Sequence, residues 1–130
     1  NRSPLIRIPV TRGAGTRVEL RCPDPAANPY LVLAVCLEAG LDGIRNQITP
    51  PDAVTENVFE MQLQQRAKLG IESLPGDLEQ AVEELEKDDY IKSVLGGHIT
   101  EKYLEAKRAE WADYRAQVTE WEIEKYLYKI

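Results

Sequence analysis

Arg17-Val18-Glu19-Leu20-Arg21 alternates charged and apolar side chains, the signature of a two-faced strand. In an extended strand alternate side chains share a face, roughly 6.5–7 Å apart. Val18, Leu20 and Cys22 then point one way, and Arg17, Glu19 and Arg21 the other. A carboxylate between two guanidinium groups stays ionised, because neighbouring positive charge favours its charged form. Such a row can grip carboxylate or phosphate through its arginines and a hard divalent cation through its glutamate. An exposed strand face cross-linked by surface ion pairs would carry the same pattern.

Working outward, Asn1-Arg2-Ser3-Pro4-Leu5-Ile6-Arg7-Ile8-Pro9-Val10 is strand-like and adds two more arginines. The glycines of Thr11-Arg12-Gly13-Ala14-Gly15-Thr16 suit a hairpin loop of about 4–6 residues. Strands are therefore expected near 4–10 and 16–22, with Val18 and Leu20 buried against the helix that follows. Asn28 can cap that helix, with Pro29 at its first position, running to about residue 43. Leu31, Val32, Val35, Cys36 and Ala39 fall near helical spacing, so it reads as a buried support beneath the sheet.

Residues 46–76 read as a surface excursion with a turn of helix around 62–67. Asp77 opens a helix over 78–87, with Leu78, Ala81, Val82 and Leu85 on one face and mostly glutamates on the other. Those glutamates do not converge and read as a solvated face. Asp88 or Asp89 caps a short helix closed by Gly96-Gly97. Thr100 is expected to cap the longest helix, to about 116, with Leu104, Trp111, Tyr114 and Val118 as its apolar stripe. Thr119-Glu120-Trp121-Glu122 is a capping box, with Val118 and Ile123 placed for a hydrophobic staple. The last helix carries Trp121, Tyr126, Leu127, Tyr128 and Ile130. The fold class is α+β, mostly helical: an N-terminal β-hairpin, then about five helices.

Composition narrows the function. The 130 residues are 43% hydrophobic and 29% charged, with a net charge of −6. Through Cys22 there are five arginines and one acid, a net of +4, while the remainder carries −10. Overall acidity speaks against nucleic acid, since neutralising phosphates needs a basic surface. A compact arginine cluster on an acidic chain suits a small anionic ligand. No apolar run approaches the roughly 18–20 residues of a membrane span, so a cytoplasmic protein without membrane contact is expected. Cys22 and Cys36 lack metal-ligand spacing and read as reduced, half-buried thiols. His98, the only histidine, reads as a polar junction residue.

Taken together, Asn-Arg-Ser…Ile-Arg-Ile-Pro at 1–9, Thr-Arg-Val-Glu-Leu-Arg at 16–21 and Pro-Asp-Pro-Ala-Ala-Asn-Pro-Tyr-Leu at 23–31 resemble the C-terminal part of a type I glutamine synthetase. The resemblance continues through Ala39-Gly40-Leu41-Asp42-Gly43-Ile44 and Gly70-Ile71-Glu72-Ser73-Leu74-Pro75-Gly76. It then runs to Glu105-Ala106-Lys107-Arg108-Ala109-Glu110-Trp111 and Val118-Thr119-Glu120-Trp121-Glu122. It covers essentially all 130 residues in one register.

That resemblance implies an ATP-dependent glutamate–ammonia ligase that forms glutamine through γ-glutamyl phosphate, with Mg2+ or Mn2+ holding the phosphates. Arg2 matches an arginine that contacts ATP phosphates and the reacting end of glutamate. Arg7 and Arg17 match arginines on the nucleotide side, and Glu19 a metal ligand. Arg21 matches the arginine that holds substrate glutamate near the transferring phosphoryl group. Catalytic roles thus fall to Arg2 and Arg21, ATP contacts to Arg2, Arg7 and Arg17, glutamate contacts to Arg2 and Arg21, and metal ligation to Glu19. The implied parsing is an active-site hairpin over 1–27 and a helical part over 28–130 ending in an oligomerisation arm, as in a dodecamer.

Two departures accompany the resemblance. Some relatives place a nucleotide-contacting lysine in the hairpin loop, where this chain has Ala14, with Arg12 its nearest substitute. Enterobacterial-type relatives carry AMP on a loop tyrosine, and the matching position here is Phe59. The remaining metal-ligand carboxylates, the glycine-rich nucleotide motif and the flap glutamate all lie upstream of Asn1 in the family pattern. The chain is therefore expected to be a C-terminal fragment, inactive alone. Two other readings stay open: the same fold acting as a γ-glutamyl-amine or polyamine ligase, and a non-catalytic oligomerisation module.

Overall fold

The structure, a computed structural model, describes residues 3–127 and residue 129. The chain is α+β and mostly helical, and it divides into two compact units, Asn1–Leu74 and Pro75–Ile130.

In the first unit, strand β1 (Ile6–Arg7) pairs antiparallel with β2 (Glu19–Leu20), Ile6 opposite Leu20 and Arg7 opposite Glu19. The Arg21 N–H extends the ladder to the Leu5 carbonyl at 3.0 Å. The strands are shorter than the expected 4–10 and 16–22. Pro4 and Pro9 bracket β1 and lack the N–H a ladder needs. The turn between the strands closes on a 3-10 segment, Gly13–Gly15, with the Thr16 N–H on the Gly13 carbonyl at 3.1 Å. Gly13 sits at φ +70°, and a Cβ on Gly15 would lie 2.6 Å from Thr11 Cγ2. Gly13 thus holds a conformation that favours glycine, and a side chain at position 15 would require Thr11 to shift.

The apolar side of this hairpin departs from expectation. Val18 is 65% exposed and Leu20 39%, so neither is buried against the following helix. Among the described residues the sheet has two strands. Ribbons of this size bury little by themselves.

Helix α1 (Pro29–Arg45) opens as expected, Asn28 Oδ1 accepting the N–H groups of Tyr30 and Leu31 at 3.0 and 3.3 Å. Leu31, Val32, Val35 and Cys36 are half-buried, but Ala39 is exposed and no residue of α1 is fully buried. Tyr30, Leu33, Leu37 and Ile44 face outward. The helix is apolar around more than one face, so one neighbour cannot cover it. It ends in a Schellman arrangement: the Ile48 N–H reaches the Gly43 carbonyl and the Gln47 N–H that of Ile44. Gln47 holds the left-handed position at φ 52°.

The excursion that follows carries a 3-10 turn at Val58–Glu60 and helix α2 (Leu63–Lys68), close to the expected 62–67. The Val58 N–H donates to Ser3 Oγ at 3.0 Å, tying the excursion to the segment before β1. Met61 is buried there, and Arg66 Nε donates to its carbonyl.

The second unit packs helices α3 (Leu78–Lys87), α4 (Asp89–Leu95) and α5 (Gly97–Arg115). Asp77 and Asp88 cap α3 and α4 through the N–H groups of Gln80 and Ile91, at 2.8 and 2.9 Å. Helix α5 begins three residues before the expected cap. Gly96, at φ +78°, ends α4 and accepts the Thr100 N–H as the next helix starts. Thr100 is therefore not a cap. It is buried inside the first turn and donates its hydroxyl to the Lys92 carbonyl at 3.3 Å.

Val82 forms the apolar centre of this unit. Leu104 and Trp111 lie half-buried on α5, whereas Tyr114 and Val118 are exposed, which shortens the expected stripe. Arg108 pairs with Glu86, and Arg115 with Glu79 at 3.9 Å. Trp111 Nε1 is buried with no hydrogen-bond partner.

The capping box forms as written, the Glu122 N–H on Thr119 Oγ1 at 3.2 Å and the Thr119 N–H on Glu122 Oε2 at 2.8 Å. Those bonds hold the Glu122 carboxyl below the ordinary range, the Thr119 backbone N–H contributing most. One short turn, α6 (Glu120–Glu122), leads into a π-helical turn, Ile123–Leu127, with Trp121, Tyr126 and Leu127 exposed. Tyr128 and Ile130 lie outside the described residues. No helix among the described residues is long and apolar enough to cross a membrane.

A candidate anion and cation site on the hairpin

Strand pairing, and not the alternation alone, assembles the charged cluster. Because Arg7 stands opposite Glu19, its Nη1 donates to Glu19 Oε2 at 2.9 Å. Arg17, two residues before Glu19, donates Nε to Oε1 at 2.9 Å, with Nη2 2.6 Å from the same oxygen. Each oxygen of one carboxylate is thus gripped by a different guanidinium group. The Arg7 bond, then the Arg17 bond, hold the Glu19 carboxyl below the ordinary glutamate range, outweighing the opposing cost of its limited desolvation. The cluster stays open to water, with 28% of the Glu19 side chain exposed, 38% of Arg7 and 51% of Arg17.

The other expected site residues are placed differently. Arg21 is exposed and makes no side-chain hydrogen bond or ion pair among the described residues. Arg12 is occupied by its own loop, Nη1 reaching the carbonyls of Pro9 and Thr11 at 2.6 and 3.1 Å. That engagement leaves it poorly placed to stand in for a lysine at position 14. Arg2 lies outside the described residues. Alternation along β2 could not reveal the partnership of Arg7, because it depends on the pairing register. A slip of one residue would turn every side chain to the other face.

The donor set decides what could be held here. Arginine forks match phosphate oxygens, and Arg7 and Arg17 flank one point. Glu19 is a hard oxygen ligand kept ionised, which suits Mg2+ or Mn2+, but such ions take about six oxygens or more. No group of three or more His, Cys, Asp or Glu side chains is placed for a metal among the described residues. Glu19 therefore fits as one ligand of a shared site, not as a site in itself. The thiols contribute nothing to it: both are free, and Cys22 is exposed rather than half-buried.

Comparison with known proteins gives the cluster its context. Residues 1–126 match the family described as glutamine synthetase, catalytic domain. The chain is 54% identical to glutamine synthetase from Clostridium saccharobutylicum over 99% of its own length and 29% of that protein's. It is 55% identical to glutamine synthetase from Thermotoga maritima, over 98% of this chain and 29% of the relative. It is also similar to a solved structure described as apo GmaS without ligand. That similarity has a TM-score of 0.80 and 41% identity, over 98% of this chain and 28% of the other. The chain thus spans less than a third of the length of the curated relatives it matches. A continuous match through the hairpin and the helices, at more than half identity, settles descent: the chain belongs to the glutamine synthetase family, as a stretch of its catalytic domain.

Proposed function

We propose that this chain supplies the arginine wall and one metal ligand of an ATP-dependent glutamate–ammonia ligase. The observation that carries the reading is the single carboxylate held between two arginines, within a stretch that matches the synthetase catalytic domain. Phosphoryl transfer depends mainly on positioning and on neutralising charge spread over the transferring group. Arg7 and Arg17 would bind ATP phosphates, and Arg2 would contact both the ATP phosphates and the reacting end of glutamate. Glu19 would ligate Mg2+ or Mn2+, which supplies compensating positive charge when bound. Arg21, with no side-chain partner among the described residues, would take the substrate glutamate, and ammonia would be the acceptor.

Residues 1–27 then serve as the active-site hairpin, and residues 28–130 as a helical part whose exposed aromatic end is suited to subunit contact, in a cytoplasmic dodecamer. The chain alone would make no glutamine, since one carboxylate does not complete a metal site. Higher identity to proteins named glutamine synthetase than to GmaS favours ammonia over a larger amine.

Glu19→Gln in the intact enzyme tests the reading. Glutamine formation should fall by on the order of a hundredfold or more, while Glu83→Gln on the solvated face of α3 should match the parent. Equal turnover of Glu19→Gln and parent at saturating metal would sink the assignment.

A further inference from the structure

The resting partners of Glu19 are the same arginines that the proposed reaction needs, and the consequence rests on that reading. Both carboxylate oxygens already face guanidinium groups, Oε2 one nitrogen of Arg7 and Oε1 two nitrogens of Arg17, which takes up most of their lone-pair sites. A divalent cation must take at least one of those oxygens at about 2–2.5 Å. A guanidinium group cannot keep the same lone pairs, and its charge repels the metal. The converse also holds. Arg17 presents Nε and Nη2 to Glu19 while its Nη1 donates to the Gly15 carbonyl at 3.2 Å, so the edge of the fork open to a phosphate is the one Glu19 holds. All three side chains reach solvent, so exchanging partners requires no unfolding. Exposed ion pairs are also individually weak.

We infer that Glu19, Arg7 and Arg17 form an exchangeable latch that couples cation binding on Glu19 to polyphosphate binding on the two arginines. A cation on Glu19 releases both guanidinium groups to an anion, and an anion on the arginines releases Glu19 to a cation. The coupling is reciprocal, as linkage demands, and adds to any direct attraction between metal and phosphate. Without ligands the single carboxylate offsets one of the two guanidinium charges. Arg21, two residues beyond Glu19 and without a side-chain partner among the described residues, lies outside the latch.

The test separates the two ligands so that metal–phosphate chelation cannot imitate coupling, and it uses the intact protein with binding as its readout. With ATP in excess chelator, Glu19→Gln should bind the nucleotide about three- to tenfold more tightly than the parent, the scale of two exposed ion pairs. The gain should vanish when Arg7→Gln and Arg17→Gln are also present. A gain that survives their loss would be long-range charge, and would overturn the latch. With Mn2+ and no nucleotide, Arg17→Gln should tighten the ion more than Arg21→Gln, which removes equal charge without releasing Glu19. Equal effects would also overturn it.

Failure of the underlying reading looks different. In that case Glu19→Gln would leave Mn2+ binding unchanged, or Arg7→Gln with Arg17→Gln would leave chelator-held ATP binding unchanged. Either result removes the latch together with its footing. If both ligands respond but neither tightening occurs, the latch alone is wrong.

Discussion

The hairpin and the α3–α5 pair both join arginine to glutamate, yet the pairs serve different ends. On the helices, Glu79 and Glu86 stand seven residues apart, as do Arg108 and Arg115, so two ion pairs bracket two turns in antiparallel register. Val82, buried, lies between the glutamates in sequence, and Trp111 between the arginines. Those charges strap a contact that apolar burial already makes. On the hairpin the order is reversed: Val18, Ile6 and Ile8 are exposed, and beyond the backbone ladder the two strands are joined through one carboxylate and its guanidinium partners. An ion pair over a packed core is a fastener. One without a core beneath it can be exchanged.

The sharpest way to break this contrast is to exchange one arginine in each region. Arg21→Ala in the intact enzyme should cut turnover and raise the KM for glutamate, each by about tenfold or more, through loss of a charge-assisted carboxylate partner. Its melting temperature should match the parent. Arg108→Ala should do the opposite, leaving KM unchanged and costing up to about 1 kcal/mol of stability, as a largely exposed pair would. Kinetics and thermal unfolding of both variants decide the matter, and a melting loss in Arg21→Ala with unchanged kinetics would erase the distinction.

Truncating apolar side chains asks the same question of packing. Val82→Ala should destabilise the chain by about 1–3 kcal/mol, because it leaves a cavity. Val18→Ala should stay within about 0.5 kcal/mol in the 130-residue chain, as exposed positions do. Chemical denaturation that found the two equal would show that the hairpin has a core of its own.

Acid should loosen the hairpin cluster below the range where ordinary glutamates protonate. The folded Glu19 carboxyl is lowered by Arg7 and Arg17, so its contribution is complete above the unfolded glutamate pKa. It is lost only as pH falls through the lowered folded value. Carboxyl-carbon NMR should show Glu19 titrating below a free glutamate, and ordinary titration would mean the arginines do not grip it in solution. A small gain is expected of Gln47→Gly. It removes a side chain from a left-handed position at the end of α1 and should gain a few tenths to about 1 kcal/mol in thermal unfolding.

What the sequence made legible follows from the range of each interaction. Asn28, Asp77, Asp88 and the Thr119–Glu122 box act within three residues, and all four cap as read. The hairpin was legible too, along with the shared face of Arg17 and Glu19, because alternation is local. Burial was less legible. Val18 and Leu20 carry the pattern of a covered strand face, but covering depends on elements distant in sequence. Thr100 was misread because Gly96 restarts the helix directly, leaving no gap for a cap. Arg7 and its carboxylate are twelve residues apart, and only pairing register joins them.

Near the C-terminus, the π-helical turn Ile123–Leu127 has a consequence for spacing. On a regular α-helix, residues five apart point roughly 140° away from each other. Here Trp121 and Tyr126 meet edge to face, their ring centres 5.9 Å apart and their planes at 81°. The two rings therefore act as one broad aromatic knob instead of two lone side chains on separate sides. Rewinding that turn as a regular α-helix of the same length would split the knob, even though neither aromatic residue had been changed. Deleting one residue between them would instead set them four apart and keep them on one face.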